Sequence, residues 1–276
     1  MAKGAYIGVN GVARKIKKGY IGVNGVARKI KKAYIGIGGV ARPCWTSGLE
    51  YYGTITALSV ARYELAATTI GSYALFGGGG GSSISSAVDA YNTSLTRSTP
   101  TALSAARRFL TATTVGSYGL FGGGYDGSAY FATVDAYNTS LTRSTPTALS
   151  IARYDIAATT VGSYALFGGG YGGGDIATVD AYNTSLTRST PTALTAARDG
   201  IAATTIGSYG LFGGGNSWSG KISTVEAYNT SLTRSTPTAL SVARYDIAAT
   251  TVGSYALFGG GSGDSYSAVV DAYVYN

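Results

Sequence analysis

The chain has 276 residues, of which 42 are glycine, and a formal net charge of +8. Its single cysteine and its lack of histidine exclude an intrachain disulfide, a Ser-His-Asp triad and zinc sites built from histidine or several cysteines. No apolar stretch approaches the roughly 18 residues that a membrane-spanning helix needs, and residues 1–6 lack the apolar region of a signal peptide. We expect no cofactor, no membrane span and synthesis in the cytoplasm without a signal peptide.

The excess of positive charge lies at one end of the chain. Residues 1–42 carry ten cations and no acid, whereas the rest carries eleven cations and thirteen acids. Such an asymmetry indicates two parts with different functions. We therefore predict a basic domain over residues 1–45 and a second, nearly neutral domain over residues 46–276.

The basic part is a 14-residue repeat in three copies, over residues 5–18, 19–32 and 33–45. Each copy contains two short apolar runs joined by a two-residue turn, which is Asn10-Gly11, Asn24-Gly25 or Gly38-Gly39. Asn-Gly between such runs is the strongest short signal for a β-hairpin. Because isolated hairpins are only marginally stable, we expect these hairpins to need self-association, the second domain or a partner surface.

The second part contains a longer repeat. The string Gly-Ser-Tyr-Ala/Gly-Leu-Phe-Gly-Gly begins at intervals of 45 or 46 residues, at Gly71, Gly116, Gly162, Gly207 and Gly253. In the third unit, alternation and turn residues predict four strands, over residues 155–161, 164–167, 177–182 and 186–194. The second strand is apolar on both faces, which is typical of a sheet covered on both sides. The repeat therefore predicts an all-β fold of five similar sheets.

An acidic residue and an arginine flank the last turn of the first four units at a constant spacing. Their symmetric placement predicts cross-strand ion pairs, which contribute about 0.2–1 kcal/mol each. A catalytic array of carboxylates is the alternative, but repetition from unit to unit favours an architectural role. The pairs are Asp89/Arg97, Asp135/Arg143, Asp180/Arg188 and Glu226/Arg234.

The order of arginine, small strand, Tyr-x-Leu-Phe-Gly-Gly, variable loop and Val-Asp-Ala-Tyr-Asn over residues 50–276 resembles the kelch repeat. The resemblance implies a five-bladed kelch-type β-propeller. One departure is that leucine stands where the family usually carries tryptophan, at Leu95, Leu141, Leu186 and Leu232. Some kelch-like propellers are copper oxidases with tyrosine and histidine ligands, a chemistry that the absence of histidine excludes here.

The closure of the ring is a further prediction from the repeat. Segment 52–59 matches the end of the fourth strand of a unit, and the last unit stops at residues 270–276, directly after its third strand. We predict that this N-terminal strand completes the last blade, because closure removes exposed strand edges.

The N-terminal repeats resemble segments of structural proteins from phages and prophages of Gram-positive bacteria. This resemblance implies a homo-oligomeric protein of a virion, tail or other extracellular particle, attached through its basic repeats. The alternatives are that the cations solubilise edge strands or bind a polyanion, either nucleic acid or a cell-wall polymer, with strong salt dependence. The candidate residues for attachment or polyanion binding are Arg14, Lys15, Lys17, Lys18, Arg28, Lys29, Lys31 and Lys32.

The loops between the second and third strands are the segments that differ most among the five units. They carry aromatic and charged side chains on a glycine-rich backbone, which is the composition of a recognition surface. Aromatic side chains stack on sugar rings or anchor a protein contact. The alternative is that the loop sequences drift without constraint. The candidate binding residues are Tyr125, Asp126, Tyr130, Phe131, Tyr171, Asp175, Trp218, Lys221, Asp264 and Tyr266.

These observations favour a non-enzymatic structural and recognition protein. The propeller loops bind a cell-surface glycan or a protein, and the N-terminal repeats attach the chain to a larger assembly. One rival hypothesis is a filament or coat component that acts through lateral self-contacts. Another is an enzyme acting on a sugar, but a glycosidase needs a close pair of carboxylates, and no such pair stands out in the sequence.

Overall fold

A computed structural model describes residues 51–275 in full and, before them, the backbone of residues 6–9, 12–15, 19–23, 26–30, 32–37 and 40–46. The chain divides into two compact units, residues 1–55 and 56–276. Strands and turns form all of the regular structure in these ranges. Among the residues described, no helix is long and apolar enough to cross a membrane.

The first unit contains three antiparallel hairpins in its described parts, as the 14-residue repeat predicts. In the first hairpin Tyr6 pairs with Lys15 and Val9 with Val12. The third hairpin has a register shift between Ala33 and Tyr34. The strands are β1 (Tyr6–Val9), β2 (Val12–Lys15), β3 (Gly19–Val23), β4 (Val26–Ile30), β5 (Lys32–Ile37) and β6 (Val40–Thr46).

The second unit contains five consecutive antiparallel sheets, here called sheets 1 to 5, one for each long repeat. Sheet 1 comprises β7 (Ala66–Ile70), β8 (Tyr73–Gly77), β9 (Val88–Asn92) and β10 (Arg97–Ser98). Sheet 2 comprises β11 (Thr111–Val115), β12 (Tyr118–Gly122), β13 (Val134–Asn138) and β14 (Arg143–Ser144). Sheet 3 comprises β15 (Ala157–Val161), β16 (Tyr164–Gly168), β17 (Val179–Asn183) and β18 (Arg188–Ser189).

Sheets 4 and 5 follow the same order with two differences. Sheet 4 comprises β19 (Ala202–Ile206), β20 (Tyr209–Gly213), β23 (Val225–Asn229) and β24 (Arg234–Ser235). Its loop contains a small separate hairpin of β21 (Asn216–Ser217) and β22 (Gly220–Lys221). Sheet 5 has three strands, β25 (Ala248–Val252), β26 (Tyr255–Gly259) and β27 (Val270–Val274). The all-β class and the repeated four-stranded sheets are thus confirmed.

The fourth strand is much shorter than the predicted range of 186–194, since β18 covers two residues. Leu186 has a φ of 60°, in the left-handed region that strand residues do not adopt. Asn183 holds this turn, because its Oδ1 accepts the N–H groups of Ser185 and Thr187, both at 2.9 Å. The turn directs Leu186 against the core of the preceding sheet, so this leucine stabilises the contact between sheets.

Each sheet contains a buried ion pair that the sequence reasoning missed. We call the segment that precedes the first strand of each sheet its link. An arginine of this link donates to a carboxylate on the third strand of the same sheet. In sheet 3, Arg153 Nη2 lies 2.8 Å from Asp180 Oδ2, and both side chains are fully buried. The same nitrogen donates to the carbonyl of Phe167 at 3.2 Å. The pairs are Arg62–Asp89, Arg107–Asp135, Arg153–Asp180, Arg198–Glu226 and Arg244–Asp271.

The predicted cross-strand ion pairs are confirmed in three of four cases. Arg143 and Arg188 each lie 3.2 Å from the carboxylate of their own sheet, Asp135 and Asp180, and Arg97 lies 3.7 Å from Asp89. In sheet 4 the prediction is wrong, since Arg234 donates to the carbonyl of Ala193. The longer side chain of Glu226 instead accepts from Arg198 and Thr195.

Neighbouring sheets pack face to face through one repeated contact. The glycine that ends the second strand of a sheet lies against a phenylalanine of the next sheet, and a Cβ at Gly168 would lie 2.8 Å from the ring of Phe212. Only glycine permits so close an approach. The first strands also contact each other, as Thr159 and Thr205 show with hydroxyls 2.7 Å apart. The other pairs are Gly77–Phe121, Gly122–Phe167 and Gly213–Phe258.

Sheet 5 is exposed on the face that sheets 1 to 4 bury against a following sheet. In sheet 3 Val161 and Val179 are fully buried on that face, whereas their counterparts Val252 and Val270 are 59% and 60% exposed. We term this exposed surface the distal face of sheet 5. Its residues are Ala248, Val252, Leu257, Gly259, Val270 and Ala272.

The predicted closing strand is not formed. Residues 51–55 lie outside any strand, and within residues 51–275 no strand pairs with the free edge of β27. The following residues bind sheet 1 instead, because the Tyr91 hydroxyl donates to the carbonyl of Thr56 at 2.8 Å and Ser59 donates to Asp89. The same bonds join each later link to its own sheet, as from Tyr182 to Thr147. This segment therefore matches the link of sheet 1, and the ring closure predicted from it is wrong.

Candidate functional site

The five variable loops are tied to the five links by paired backbone hydrogen bonds. In sheet 3 the N–H of Tyr154 donates to the carbonyl of Tyr171 at 3.0 Å, and the N–H of Tyr171 returns a bond of 2.9 Å. The side chains of the link residues therefore join the loops on one surface, which we term the loop surface. The equivalent pairs are Tyr63–Gly80, Arg108–Tyr125, Asp199–Asn216 and Tyr245–Ser262.

Four tyrosines of the loop surface form a cluster between sheets 2 and 3. The ring centroids of Tyr125 and Tyr130 lie 5.4 Å apart, and the ring of Tyr154 stacks on both at 5.6 and 5.7 Å, with interplanar angles of 29° and 17°. Tyr171 contacts Tyr130 and Tyr154 at 6.1 and 5.8 Å with its ring edge. Partial desolvation, helped by the nearby Asp155 carboxylate, raises the pKa of Tyr154. Such contacts stabilise the rings in one arrangement and leave a rigid aromatic surface.

The link of sheet 2 extends this cluster. Phe109 packs against Tyr154 at 5.7 Å, and the guanidinium of Arg108 lies 5.0 Å from the centre of the Phe109 ring. Arg108 also forms an ion pair with Glu64 at 3.1 Å. The sequence reasoning treated these links as boundaries and so missed Arg108, Phe109 and Tyr154. The signal was present, because the link arginine is constant while the residue after it is tyrosine in three units and arginine or aspartate in the other two.

The second feature of the loop surface is a groove of about 330 Å³ beside Trp218. The indole side chain is 99% exposed, and its backbone N–H donates to Asp175 Oδ2 at 2.6 Å. Asp175 belongs to the same loop as Tyr171, with which it forms a β-bridge. The groove and the tyrosine cluster are therefore parts of one surface. The groove is lined by Asp175, Ala196, Ala197, Ser217, Trp218 and Ser219.

Two more predicted binding residues bridge the last two loops. Lys221 Nζ lies 2.7 Å from Asp264 Oδ1, and this cation lowers the pKa of Asp264. Tyr266 is 94% exposed in the same loop as Asp264. Contacts thus run from loop to loop across sheets 2 to 5, through Tyr130–Tyr171, Asp175–Trp218 and Lys221–Asp264.

The two remaining predicted residues have local structural contacts. Asp126 Oδ1 accepts the N–H groups of Ser128 and Ala129 at 2.8 and 2.7 Å, which lowers the pKa of Asp126. The N–H of Phe131 donates to the carbonyl of Gly124 at 2.9 Å, and the residue is half-buried. Asp126 therefore shapes its own loop by an Asx turn.

A line of strained positions lies next to the links. Glu64, Phe109, Asp155 and Asp246 have φ values of 51° to 55°, which is uncommon for residues other than glycine. The N–H of Phe109 donates to the carbonyl of Glu64 at 3.1 Å, which joins sheet 2 to sheet 1. Desolvation by the surrounding groups raises the pKa of Asp155 to about 6, with further contributions from the charges of Asp199, Asp246 and Glu64. A raised carboxyl pKa and backbone strain mark a candidate functional position.

The loop surface presents aromatic, hydroxyl and carboxylate groups around the groove. In the part of the chain with described side chains, no group of three or more histidine, cysteine, aspartate or glutamate residues is placed to hold a metal ion. Exposed aromatic rings, hydroxyls and a carboxylate around a groove are groups that contact a sugar or a peptide.

The predicted basic residues of the first unit fall largely outside the described structure. The backbones of Arg14 and Lys15 lie in β2, those of Arg28 and Lys29 in β4, and Lys32 begins β5. The side chains of these five residues, and the whole of Lys17, Lys18 and Lys31, lie outside the described residues. Attachment and polyanion binding by these cations therefore stay predictions.

No protein-family model and no curated protein matches the chain.

Proposed function

We propose that this protein is a non-enzymatic recognition protein whose loop surface binds a glycan of a cell surface. The observation that carries the proposal is the fully exposed indole of Trp218 beside a groove that contains a carboxylate and two serine residues. An indole packs on the apolar face of a sugar ring. A carboxylate and hydroxyls at its edge accept and donate hydrogen bonds to sugar hydroxyls.

The tyrosine cluster supports an extended ligand. It adjoins the Trp218 groove through the loop that holds both Tyr171 and Asp175. A chain of sugars can contact both features, whereas one monosaccharide fills the groove alone. A protein on the cell surface is the alternative ligand, since tyrosine and tryptophan also anchor protein contacts.

The resemblance of the N-terminal repeats to phage structural proteins supports a role for this binding in a larger assembly. In this proposal the first unit attaches the chain to a virion, a tail or another extracellular particle, and the loop surface faces the host cell. The segregation of ten cations into residues 1–42 favours a second candidate function for that unit, which is binding to nucleic acid or an anionic cell-wall polymer. Its affinity would fall steeply with salt concentration.

The fluorescence of Trp218 tests the glycan proposal. The chain contains two tryptophans, so a Trp45→Phe background leaves Trp218 as the sole reporter. Titration with soluble fragments of Gram-positive cell wall is expected to shift its emission and to saturate. Asp175→Asn is expected to weaken the response at least tenfold, because the carboxylate lines the groove.

Asp264→Asn is the matched control. It makes the same change of charge on the same surface, but Asp264 pairs with Lys221 and does not line the groove. Emission that does not respond to any fragment, or an equal loss in both variants, would contradict glycan binding at Trp218.

A further inference from the structure

Three of the four junctions between sheets are built from the same two half-surfaces, and in the fourth Tyr275 takes the place of the threonine over Gly207. The earlier sheet supplies a valine or isoleucine and two glycines, and the later sheet covers them. At the first junction a Cβ at Gly119 would lie 2.7 Å from Ile70, and Thr139 lies over Gly71 with its methyl group 3.1 Å from the position of a Cβ. Leu141 of the later sheet packs into the same core.

Sheet 5 carries the first half-surface without its complement. A Cβ placed on Gly253, the counterpart of Gly71, would have no atom of another residue within 4 Å. A Cβ placed on Gly259 would contact only Val270 of its own sheet. Val252 occupies the position of Ile70 and is 59% exposed. The distal face is thus shaped to receive a phenylalanine, a threonine and a leucine at set positions.

Sheet 1 carries the second half-surface without its complement. Phe76 and Ala74 are half-buried, whereas their counterparts Phe167 and Ala165 in sheet 3 are fully buried. Ala67 is exposed, although its counterpart Ala158 packs against the core of the preceding sheet. We term this surface the proximal face. Its residues are Ala67, Ala74, Phe76, Thr93 and Leu95.

We propose that the distal face of one copy of this chain binds the proximal face of a second copy, so that each new junction repeats the junctions within the chain. The two faces are complementary in sequence. Phe258 of sheet 5 packs on Gly213 of sheet 4, and in the proposed contact Phe76 of one copy packs in the same way on Gly259 of the other. Both faces consist of uncharged residues, so no like charges oppose the contact. The contact is head-to-tail, and such contacts produce a closed ring of chains or an open filament.

This proposal is independent of the proposed glycan binding. The two faces lie on the flat sides of the sheets, and the glycan groove lies on the loops. Loss of self-association would leave Trp218 and its groove unchanged, and loss of glycan binding would leave the faces unchanged. Failure of one proposal is therefore distinguishable from failure of the other.

Sedimentation velocity of the full chain over a concentration series tests the junction. Val252→Glu and Ala67→Glu each place a charge on one of the two faces, and both sites are exposed in the single chain, so both variants are expected to keep the circular dichroism and thermal stability of the parent. Each variant is expected to weaken self-association about 100-fold, because a charge without a partner becomes buried. Tyr266→Glu adds the same charge at a residue that is 94% exposed on the loop surface, and it is expected to associate as the parent does.

A mixture of the two variants gives the sharper test. The Ala67→Glu chain keeps a native distal face and the Val252→Glu chain keeps a native proximal face, so one native junction forms between them. At the remaining pair of faces the two introduced glutamates would oppose each other, so no junction forms there. The mixture is therefore expected to stop at dimers of one copy of each variant.

Three results would overturn the proposal. The parent chain could be monomeric at every concentration, with Val252→Glu lowering its melting temperature by several degrees, which would mean that its own sheet 1 covers the distal face. Self-association could be unchanged in both variants, which would place the contact elsewhere, including on the hairpins of the first unit. The mixture could remain monomeric, which would exclude a head-to-tail contact.

Discussion

Sheets 3 and 5 have the same first two strands, AATTV and YALFG, and yet they have different surroundings. In β15 the first, third and last residues are buried, whereas in β25 all but one residue are exposed. The difference arises because sheet 4 covers this face of sheet 3, whereas nothing among residues 51–275 covers the distal face of sheet 5. Burial in this protein is therefore a property of the junction between sheets, and the strand sequence alone does not determine it.

The largest difference in stability between sheets 3 and 5 is expected when their buried ion pairs are broken. Arg153→Met leaves the fully buried carboxylate of Asp180 with the partly exposed Arg188 as its remaining cation, and we expect a loss of about 3 kcal/mol in the free energy of unfolding. Arg244→Met in sheet 5 is expected to cost roughly half as much, because the side chain of Asp271 is 17% exposed and water can solvate it. Urea unfolding followed by circular dichroism measures both variants. Equal losses would mean that sheet 5 is as well covered as sheet 3.

The next largest difference in stability is expected at Val161 and Val252, which occupy the same position in two strands of identical sequence. Val161→Ala removes two methyl groups from a fully buried site and is expected to cost about 2 kcal/mol, through lost burial and a small cavity. Val252→Ala makes the same change at a site that is 59% exposed, and we expect a loss within about 0.5 kcal/mol. The measurement is urea unfolding of both variants at a concentration low enough to keep the chain monomeric. A similar cost in both would show that a surface already covers Val252.

The contrast between these two sheets also explains which parts of the fold were predictable. The repeat spacing and the Gly-Ser turns were sufficient for the strand order and the sheet boundaries, since both are local properties. The covering of a sheet face depends on whether the next repeat packs against it, and no strand pattern contains that information. The predicted closing strand failed for this reason. Segment 52–59 resembles the end of a fourth strand, but the same residues also form the link of the following sheet, where Ser59 binds Asp89.

A smaller effect is expected at the turn that sheets 1 to 4 share and sheet 5 does not. Asn183→Ala removes the acceptor for the N–H groups of Ser185 and Thr187, and we expect a loss of about 1–2 kcal/mol. In sheet 5 the equivalent residue is Val274, which ends β27. Asn183→Asp is the control, because aspartate keeps the acceptor oxygen and tolerates the same turn. Both free energies of unfolding come from urea titration, and an equal loss in the control would contradict the role of the acceptor.

The candidate site was predictable in part for a similar reason. Variation among otherwise similar loops pointed to Tyr125, Tyr130, Tyr171 and Trp218. The contribution of Tyr154 depends on the backbone pairing between link and loop, which joins residues 17 positions apart, and the pattern within a single strand does not reveal such a pairing. The buried arginines were missed because a charged residue at a repeat boundary usually lies in solvent. Their constancy among five units is the signal that indicates a structural role.

The smallest expected effect is a pH dependence at the link of sheet 3. The pKa of Asp155 is about 6 in the folded chain, above its ordinary value, so the folded state binds this proton more tightly than the unfolded state does. The associated stability is present below about pH 4 and is lost as the pH rises to about 6. Asp155→Asn removes this dependence, and asparagine tolerates the φ of 51° at this position.

We expect Asp155→Asn to raise the free energy of unfolding at pH 7 by about 1 kcal/mol, which is less than the full pKa difference implies because solvent screens a partly exposed carboxylate. Asp246→Asn at the equivalent link of sheet 5 removes only one of the neighbouring charges that act on Asp155, so its gain is smaller and the pH dependence persists. Urea unfolding at pH 4, 5, 6 and 7 distinguishes the two variants. If Asp155→Asn keeps the slope of the parent between pH 4 and 6, then the pH dependence comes from other carboxylates, and the desolvation of Asp155 by the neighbouring links contributes little to stability.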